Sequence, residues 1–256
     1  MPPSNSRTQK ETLIVVAHPD DETLGCAHEL LRNSAGCHVL HVTDGGPFEA
    51  RFWQQAGAAS REEYAARRKA ELHAAMRVFG LSETQLEMLP VADREAPRQI
   101  PTLIAEIAAR LRELRPAIVY THPFEGGHPD HDATAFAVQH ACASIQAEGL
   151  PVPERREFTG YHARNGGFHS GDFLWEANAI VDAPLAPAEQ TLKREALDCY
   201  RSQQRVIARF ALSPQRWRIA PVYEFTRRPH AGPLYYEIRE MGYRFEEFAA
   251  LAAAVS

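Results

Sequence analysis

Two short stretches of the chain crowd imidazoles and carboxylates together. The first, His18-Pro19-Asp20-Asp21-Glu22, ends the β-branched run Ile14-Val15-Val16. The second, His128-Pro129-Asp130-His131-Asp132, follows the apolar run Ile118-Val119-Tyr120 after one short loop. Short continuous apolar runs of this kind fit strands buried on both faces of a parallel sheet. Ligands of open parallel sheets bind outside the carboxyl ends of the strands. Both clusters stand at such ends, and neighbouring parallel strands would bring them to one rim. His, Asp and His supplied from two loops, with a fourth position open, is one way to hold a catalytic Zn²⁺. His18 and Asp21, three residues apart, can reach one ion from a turn or a first helical turn. The acids left over then have work, Asp20 as a base and Asp130 as partner to a histidine. Glu22 reads as a helix-start or supporting residue without a catalytic role.

A plainer account makes Asp20, Asp21, Glu22, Asp130 and Asp132 N-terminal caps, favourably placed in helix dipoles. Capping explains one acid per helix. It explains neither His18 nor His131, nor the near-duplicate HPDD and HPDH at two strand ends.

The elements that must position these residues alternate. TLIVVA (12–17) reads as a strand, ETLGCAHELLRN (22–33) as a helix stopped by Gly36, and CHVLHVT (37–43) as the next strand. The Gly- and Ala-rich stretch 44–60, with Phe48, Phe52 and Trp53, reads as a long functional loop or lid. A helix is predicted from about Ser60 to Phe79, a short strand near Leu86–Leu89, and an amphipathic helix over 101–114 ended by Arg115-Pro116. AIVYTH (117–122) is a third apolar strand, and the second cluster opens a helix. This order argues for an α/β fold with a Rossmann-like, doubly wound, mostly parallel sheet. Beyond about residue 150 the character changes to a C-terminal α+β elaboration. REFTGYH (156–162) and FLWEANAIVDA (173–183) read as strands there, and a helix covers about 187–209. With no linker in view, 1–256 is expected to be one domain, its core about 12–150 and its elaboration about 151–256.

A formal charge of −5 and a pI near 6.2 leave no polycationic surface, so nucleic acid is not an expected partner. Cys26, Cys37, Cys142 and Cys199 are scattered and read as reduced, mostly buried thiols. The opening MPPSNSRTQKET has no apolar core of a signal peptide and reads as a disordered lead-in. No stretch approaches the roughly 18 apolar residues of a membrane span. A cytoplasmic protein is expected, free to form a homo-oligomer. GxGxxG, Walker-type and GxSxG signatures are missing, which removes support for nucleotide binding and serine hydrolysis.

AHPDDE after a first strand, with GHPDH about a hundred residues later, resembles the LmbE-like or PIG-L family of zinc-dependent N-acetylglucosaminyl deacetylases. The likeness covers about residues 12–145, and LKREALDCYRSQ (192–203) is similar to a later helix of the family. The resemblance implies His18, Asp21 and His131 as zinc ligands and Asp20 as the general base. It implies His128 as the group that stabilises the oxyanion or acts as acid, tuned by Asp130. It implies substrate contacts for Arg68, in an Arg-x-x-Glu pair with Glu71, and for Asp93, which would meet a sugar hydroxyl. One departure stands out: where some members carry a tyrosine two residues before the histidine, this chain has Gly126.

The chemistry is coherent without the name. Zn²⁺ lowers the pKa of its water from about 15.7 to about 7 and polarises an amide carbonyl. A carboxylate such as Asp20 moves the proton, and a protonated His128 offsets charge on the tetrahedral oxygen. The expected function is removal of an N-acetyl group from an N-acetylglucosamine-type sugar or conjugate. The alternatives are a metal amidase acting on another N-acyl group and a non-catalytic carbohydrate-binding member of the fold. His122 and Glu125 border the motif and are weaker candidates for substrate contact. Phe52, Trp53, Trp175 and Tyr236 are candidates for stacking on a sugar. RRPH (227–230) reads as solvated surface.

Overall fold

The computed structural model describes residues 11–175 and 177–255; the expected lead-in at 1–10 lies outside them. The first half runs β1 (Thr12–Val16), α1 (Asp21–Arg32), β2 (Cys37–His41), α2 (Ala50–Gln55), α3 (Arg61–Val78), β3 (Leu86–Met88), α4 (Ile100–Leu114), β4 (Ile118–Thr121) and α5 (Pro129–Ala147). The second half adds β5 (Glu154–Phe158), β6 (Tyr161–Arg164), β7 (Gly167–Ser170), β8 (Ile180–Ala183), α6 (Pro187–Cys199), α7 (Gln204–Ile207), β9 (Gln215–Ile219), α8 (Tyr235–Ile238) and α9 (Phe245–Ala253).

Seven strands form one sheet in the order β3-β2-β1-β4-β5-β9-β8, parallel from β3 to β5 and antiparallel beyond. Side chains of a strand alternate between faces, and β1 divides its residues accordingly. Leu13 and Val15 enter the apolar layer shared with α4, α5 and α9, while Ile14 and Val16 enter the layer shared with α1, α3 and α6. Helices therefore cover both faces. The chain leaves β1 toward β2 on one side, and β4 pairs on the other with Thr12 opposite Ile118. That reversal is the switch point at which open sheets bind ligands, and both acidic clusters follow from it.

Local chemistry sets several boundaries. Ser60 caps α3, its hydroxyl accepting the Glu63 N–H at 3.2 Å. Pro101 sits in the first turn of α4, and Arg115, with φ 45°, ends it before Pro116.

Four expectations need correction. The stretch 44–60 is partly helical, since α2 forms within it. REFTGYH is not one strand, because the chain leaves the sheet after Phe158 and re-pairs as the β6–β7 hairpin. Of the described residues in 173–183, only Ile180–Ala183 are strand. The helix over 187–209 breaks at Tyr200, whose backbone (φ −81°, ψ 63°) turns so that its hydroxyl reaches Glu22 at 2.5 Å. The residues after 150 also extend the main sheet through β5, β9 and β8.

The seam between β5 and β9 rests on one buried ion pair. Glu157 and Arg218 lie directly opposite each other, with Nε donating to Oε1 at 2.6 Å, and the Tyr223 hydroxyl donates to Oε2 at 2.8 Å. Breaking such a pair leaves a buried charge without its partner. Arg218→Ala is expected to cost about 3–5 kcal/mol in urea unfolding. The apolar double replacement Arg218→Met with Glu157→Leu should recover most of that loss.

Candidate active site

The turn after β1 is the inner wall of the site. Asp20 holds φ 125°, a backbone conformation that costs a non-glycine residue about 1–3 kcal/mol. Its N–H donates to Glu22 Oε2 at 3.0 Å. Asp20 occupies the N-cap position of α1 yet makes no side-chain capping bond, so the capping account fails where it had to hold. Its carboxylate instead meets Arg68, whose Nη2 lies 3.3 Å from Oδ2 and also donates to the Pro19 carbonyl at 2.5 Å. Burial raises the Asp20 carboxyl well above its usual range; Arg68 opposes this, and the neighbouring Asp21 and Glu22 add to it.

The second cluster opens α5 and faces the first across the switch point. Asp21 Oδ2 stands 3.2 Å from His18 Nδ1 and 3.4 Å from His131 Nε2. The other nitrogen of His18, Nε2, lies 2.9 Å from Asp130 Oδ2 and 3.2 Å from Asp93 Oδ1. Burial alone would lower the His18 pKa, but Asp93, Asp130 and Asp21 outweigh it and raise it well above the ordinary value. For Asp21, burial is outweighed in the other direction by His131 and His122, so the carboxyl is held well below its usual range. The cluster is built to hold positive charge.

Asp21 Oδ2 stands at ligand spacing from each imidazole in turn, and among the described residues the groups whose donors all lie within 4.8 Å of one another are His18–His128–His131, His18–Asp93–His128–Asp130 and Asp21–His122–His131. Ligands about 2.1 Å from a tetrahedral Zn²⁺ stand about 3.4 Å from one another, close to the 3.2 and 3.4 Å separations that Asp21 Oδ2 makes with the two imidazoles. Two rival donors are already engaged. His122 lies in a grouping with Asp21 and His131, but its Nε2 accepts the Ala17 N–H at 2.9 Å. His128 groups with His18 and His131, but its Nδ1 accepts the Asp130 N–H at 3.2 Å. His128 Nε2 then carries the proton, and burial together with His18 pushes this imidazole well below its ordinary value. That direction runs against the protonated ring expected from the sequence, while either form offers Nε2–H as a donor beside Asp93.

Asp130 also departs from expectation. It lies 3.7 Å from His128 Nδ1 but 2.9 Å from His18 Nε2, and it accepts the N–H groups of Arg94 and Ala96 at 2.6 and 3.1 Å. Its carboxylate is thus nearer His18 than His128, while its N–H donates to His128 Nδ1. Arg68 does not pair with Glu71 along α3, since Glu71 instead accepts the N–H and hydroxyl of Ser202 at 2.9 and 2.6 Å. Asp93 reaches the rim from the loop after β3, with Oδ1 3.6 Å from His128 Nε2. His122 stacks on His131 at 3.9 Å beneath the rim, and the Glu125 carboxylate accepts the Leu174 N–H at 2.7 Å. Neither lines the cavity.

That cavity, of about 450 Å³, exposes His18, Asp20, Asp21, Asp93, His128 and His131 at one end. Among the aromatic candidates only Phe52 lines it. Tyr161 lies in no motif and is not among the candidates. It projects from β6 with its ring 5.3 Å from that of His131, and burial, with the carboxylates of Asp21, Asp93 and Asp20 nearby, keeps its hydroxyl protonated. Position 126 has no room for the missing tyrosine. Gly126 has φ 71°, and a Cβ there would stand 2.7 Å from Leu234. Glu22, fully buried, lies behind the rim and accepts from His41 Nε2 at 2.9 Å and from the Thr23 and Tyr200 hydroxyls at 2.5 Å each.

Known proteins resemble this chain in sequence and in fold. The deacetylase for 1D-myo-inositol 2-acetamido-2-deoxy-alpha-D-glucopyranoside from Rhodococcus jostii (strain RHA1) is 32% identical, over 77% of this chain and 82% of its own. The zinc-inhibited form of the teicoplanin deacetylase Orf2 shares the fold, with TM-score 0.59, 16% identity and coverage of 81% of this chain and 97% of that one. So does GalB, the 4-carboxy-2-hydroxymuconate hydratase of Pseudomonas putida KT2440, with TM-score 0.60, 16% identity and coverage of 84% and 98%. The family model described as GlcNAc-PI de-N-acetylase matches residues 13–142, a span that contains both clusters, Arg68 and Asp93. The chain therefore belongs to the PIG-L, or LmbE-like, family.

Proposed function

We propose that the protein is a zinc-dependent hydrolase that removes the N-acetyl group from an N-acetylglucosamine-type sugar or sugar conjugate. The observation that carries this reading is the single Asp21 oxygen lying within 3.4 Å of both His18 and His131, beside the uncapped Asp20 carboxylate. His18 Nδ1, Asp21 Oδ2 and His131 Nε2 would hold the ion, two imidazoles and a carboxylate being a donor set that suits Zn²⁺. Bound there, the ion acidifies a water and polarises the acetyl carbonyl.

The chain's own groups supply the rest. Asp20 accepts the proton of the attacking water and returns it to the departing amine. Arg68 keeps that carboxylate oriented. His128 Nε2–H and the Tyr161 hydroxyl donate to the carbonyl oxygen as it gains charge, an interaction worth a few kcal/mol. Asp93, at the rim, accepts from a sugar hydroxyl. Asp130 fixes the tautomer of His18, leaving Nδ1 as the donor. A pure sugar-binding protein has no use for a carboxylate held at φ 125° beside a metal site, and this disfavours the non-catalytic reading. Among the described residues no helix is long and apolar enough to cross a membrane. The four unpaired cysteines support a reducing, cytoplasmic setting.

Three outcomes are expected. Asp20→Asn should retain the ion by elemental analysis while acetate release falls by about 10²–10⁴-fold; near-native turnover would remove Asp20 from the mechanism. Asp130→Ala should weaken zinc in chelator competition by about 10–100-fold through the loss of His18 orientation, whereas His131→Ala should abolish stoichiometric binding. Arg68→Ala should lower kcat by about 10–100-fold, to a similar extent on an N-acetyl sugar and on a minimal N-acetyl amine. A loss confined to the sugar would instead make Arg68 a substrate contact.

A further inference from the structure

The cavity has two ends of opposite character. The inner end carries the carboxylates of Asp20, Asp21 and Asp93, and the outer end is lined by Arg51, Arg209 and Arg239. Of the five arginines that line the cavity, Arg68 and Arg94 pair with carboxylates, Asp20 at 3.3 Å and Glu49 at 2.6 Å. The other three have no carboxylate within 4.0 Å among the described residues. All three are exposed, as solvated guanidiniums usually are. These line the same cavity as the hydrolytic site.

An aromatic lane joins the two ends. From His131 the next ring is Tyr161, which stacks on Phe168 at 5.1 Å and meets Tyr235 edge-on at 5.5 Å. Phe210 closes the group, 5.4 Å from Phe168. At the far end the Arg209 guanidinium lies over the face of Phe168, with Cζ 3.6 Å from the ring centroid, while Nη1 donates to the Tyr235 hydroxyl at 3.0 Å. Lying over a ring occupies the face of a guanidinium and leaves most of its in-plane N–H donors free, the geometry that grips a carboxylate or phosphate.

We propose that this outer half is a subsite for an anionic group carried on a flat, apolar substituent of the sugar. Its carboxylate or phosphate oxygens would accept from Arg209, with Arg51 and Arg239 adding field, while the substituent lies along Tyr161, Phe168 and Phe210. This deepens the deacetylase reading and rests on it.

The test compares para-tolyl and para-carboxyphenyl N-acetylglucosaminides, with a para-phosphonophenyl glycoside as a second anion, by acetate release from the zinc-loaded enzyme. The expected kcat/KM ratio of anionic to neutral substrate is about tenfold or more, and it should shrink as salt rises from about 0.05 to about 0.5 M. In Arg209→Met the ratio should fall toward unity, in Arg209→Lys it should fall only partly, and in Arg227→Met, outside the cavity, it should not change. Preference for either anion supports the subsite, and the two glycosides tell which anion it takes. Turnover of all three glycosides at equal rates would overturn the subsite and leave the deacetylase standing. No acetate from any of them, nor from N-acetylglucosamine itself, would overturn the deacetylase reading and the subsite with it.

Discussion

Everything at the active site depends on the backbone of Asp20. A strand that ran straight into a helix would point His18, Asp20 and Asp21 by ordinary periodicity, and the three could not serve one centre. The left-handed φ of 125° at Asp20 breaks that periodicity, so that Asp21 turns toward the imidazoles while Asp20 turns toward Arg68. Such a conformation persists only where its surroundings overdetermine it. Here the anchor is Glu22, which is fully buried and accepts from the Asp20 N–H, His41, Thr23 and Tyr200. Four donors satisfy a carboxylate that would otherwise be costly to bury. They come from β2, from α1 itself and from the end of α6, so the turn is held by elements on both sides of the chain.

The same economy governs the histidines. Each of the three nearest rings has one nitrogen committed: His18 Nε2 to Asp130, His122 Nε2 to the Ala17 amide, and His128 Nδ1 to the Asp130 amide. Commitment of one nitrogen decides what the other can do. It leaves His18 with a nitrogen toward Asp21, leaves His128 with an N–H toward Asp93, and leaves His122 with Nε2 held by the Ala17 amide. Asp130 serves twice, by its carboxylate and by its backbone, and so couples the ligand orientation of β1 to the start of α5.

The sequence made this centre legible because its chemistry is contiguous. HPDD and HPDH each lie within a few residues at strand ends, and apolar runs mark the strands without ambiguity. What it hid were partnerships across distance. That Asp130 serves His18, 112 residues away, and that Glu22 meets Tyr200, 178 residues away, leaves no trace in local spacing. The break of the helix predicted over 187–209 has the same origin, since the pull of Glu22 on Tyr200 is a tertiary contact that overrides helix propensity. Tyr161 was invisible for a further reason: it follows no motif, and its hairpin forms only because the chain leaves the main sheet after Phe158.

Apart from Tyr161, Asp93 and Arg51, the groups assigned to chemistry and those assigned to selectivity come from different halves of the chain. The ion-binding and proton-moving groups all precede residue 132 and hang from β1, β4 and the helices that follow them, the most constrained part of the sheet. The aromatic lane and Arg209 come from the β6–β7 hairpin, from the stretch after α7 and from α8, all outside the parallel core. Loops and short helices beyond the core can change without disturbing the buried Glu22 network, because few of their contacts reach it. A fold arranged in this way can keep one rim while exchanging its outer wall. This accounts physically for a hydratase and a deacetylase sharing this architecture at 16% identity to this chain. The shared property is the fold itself. What enters that rim, and in which orientation, is decided by the wall.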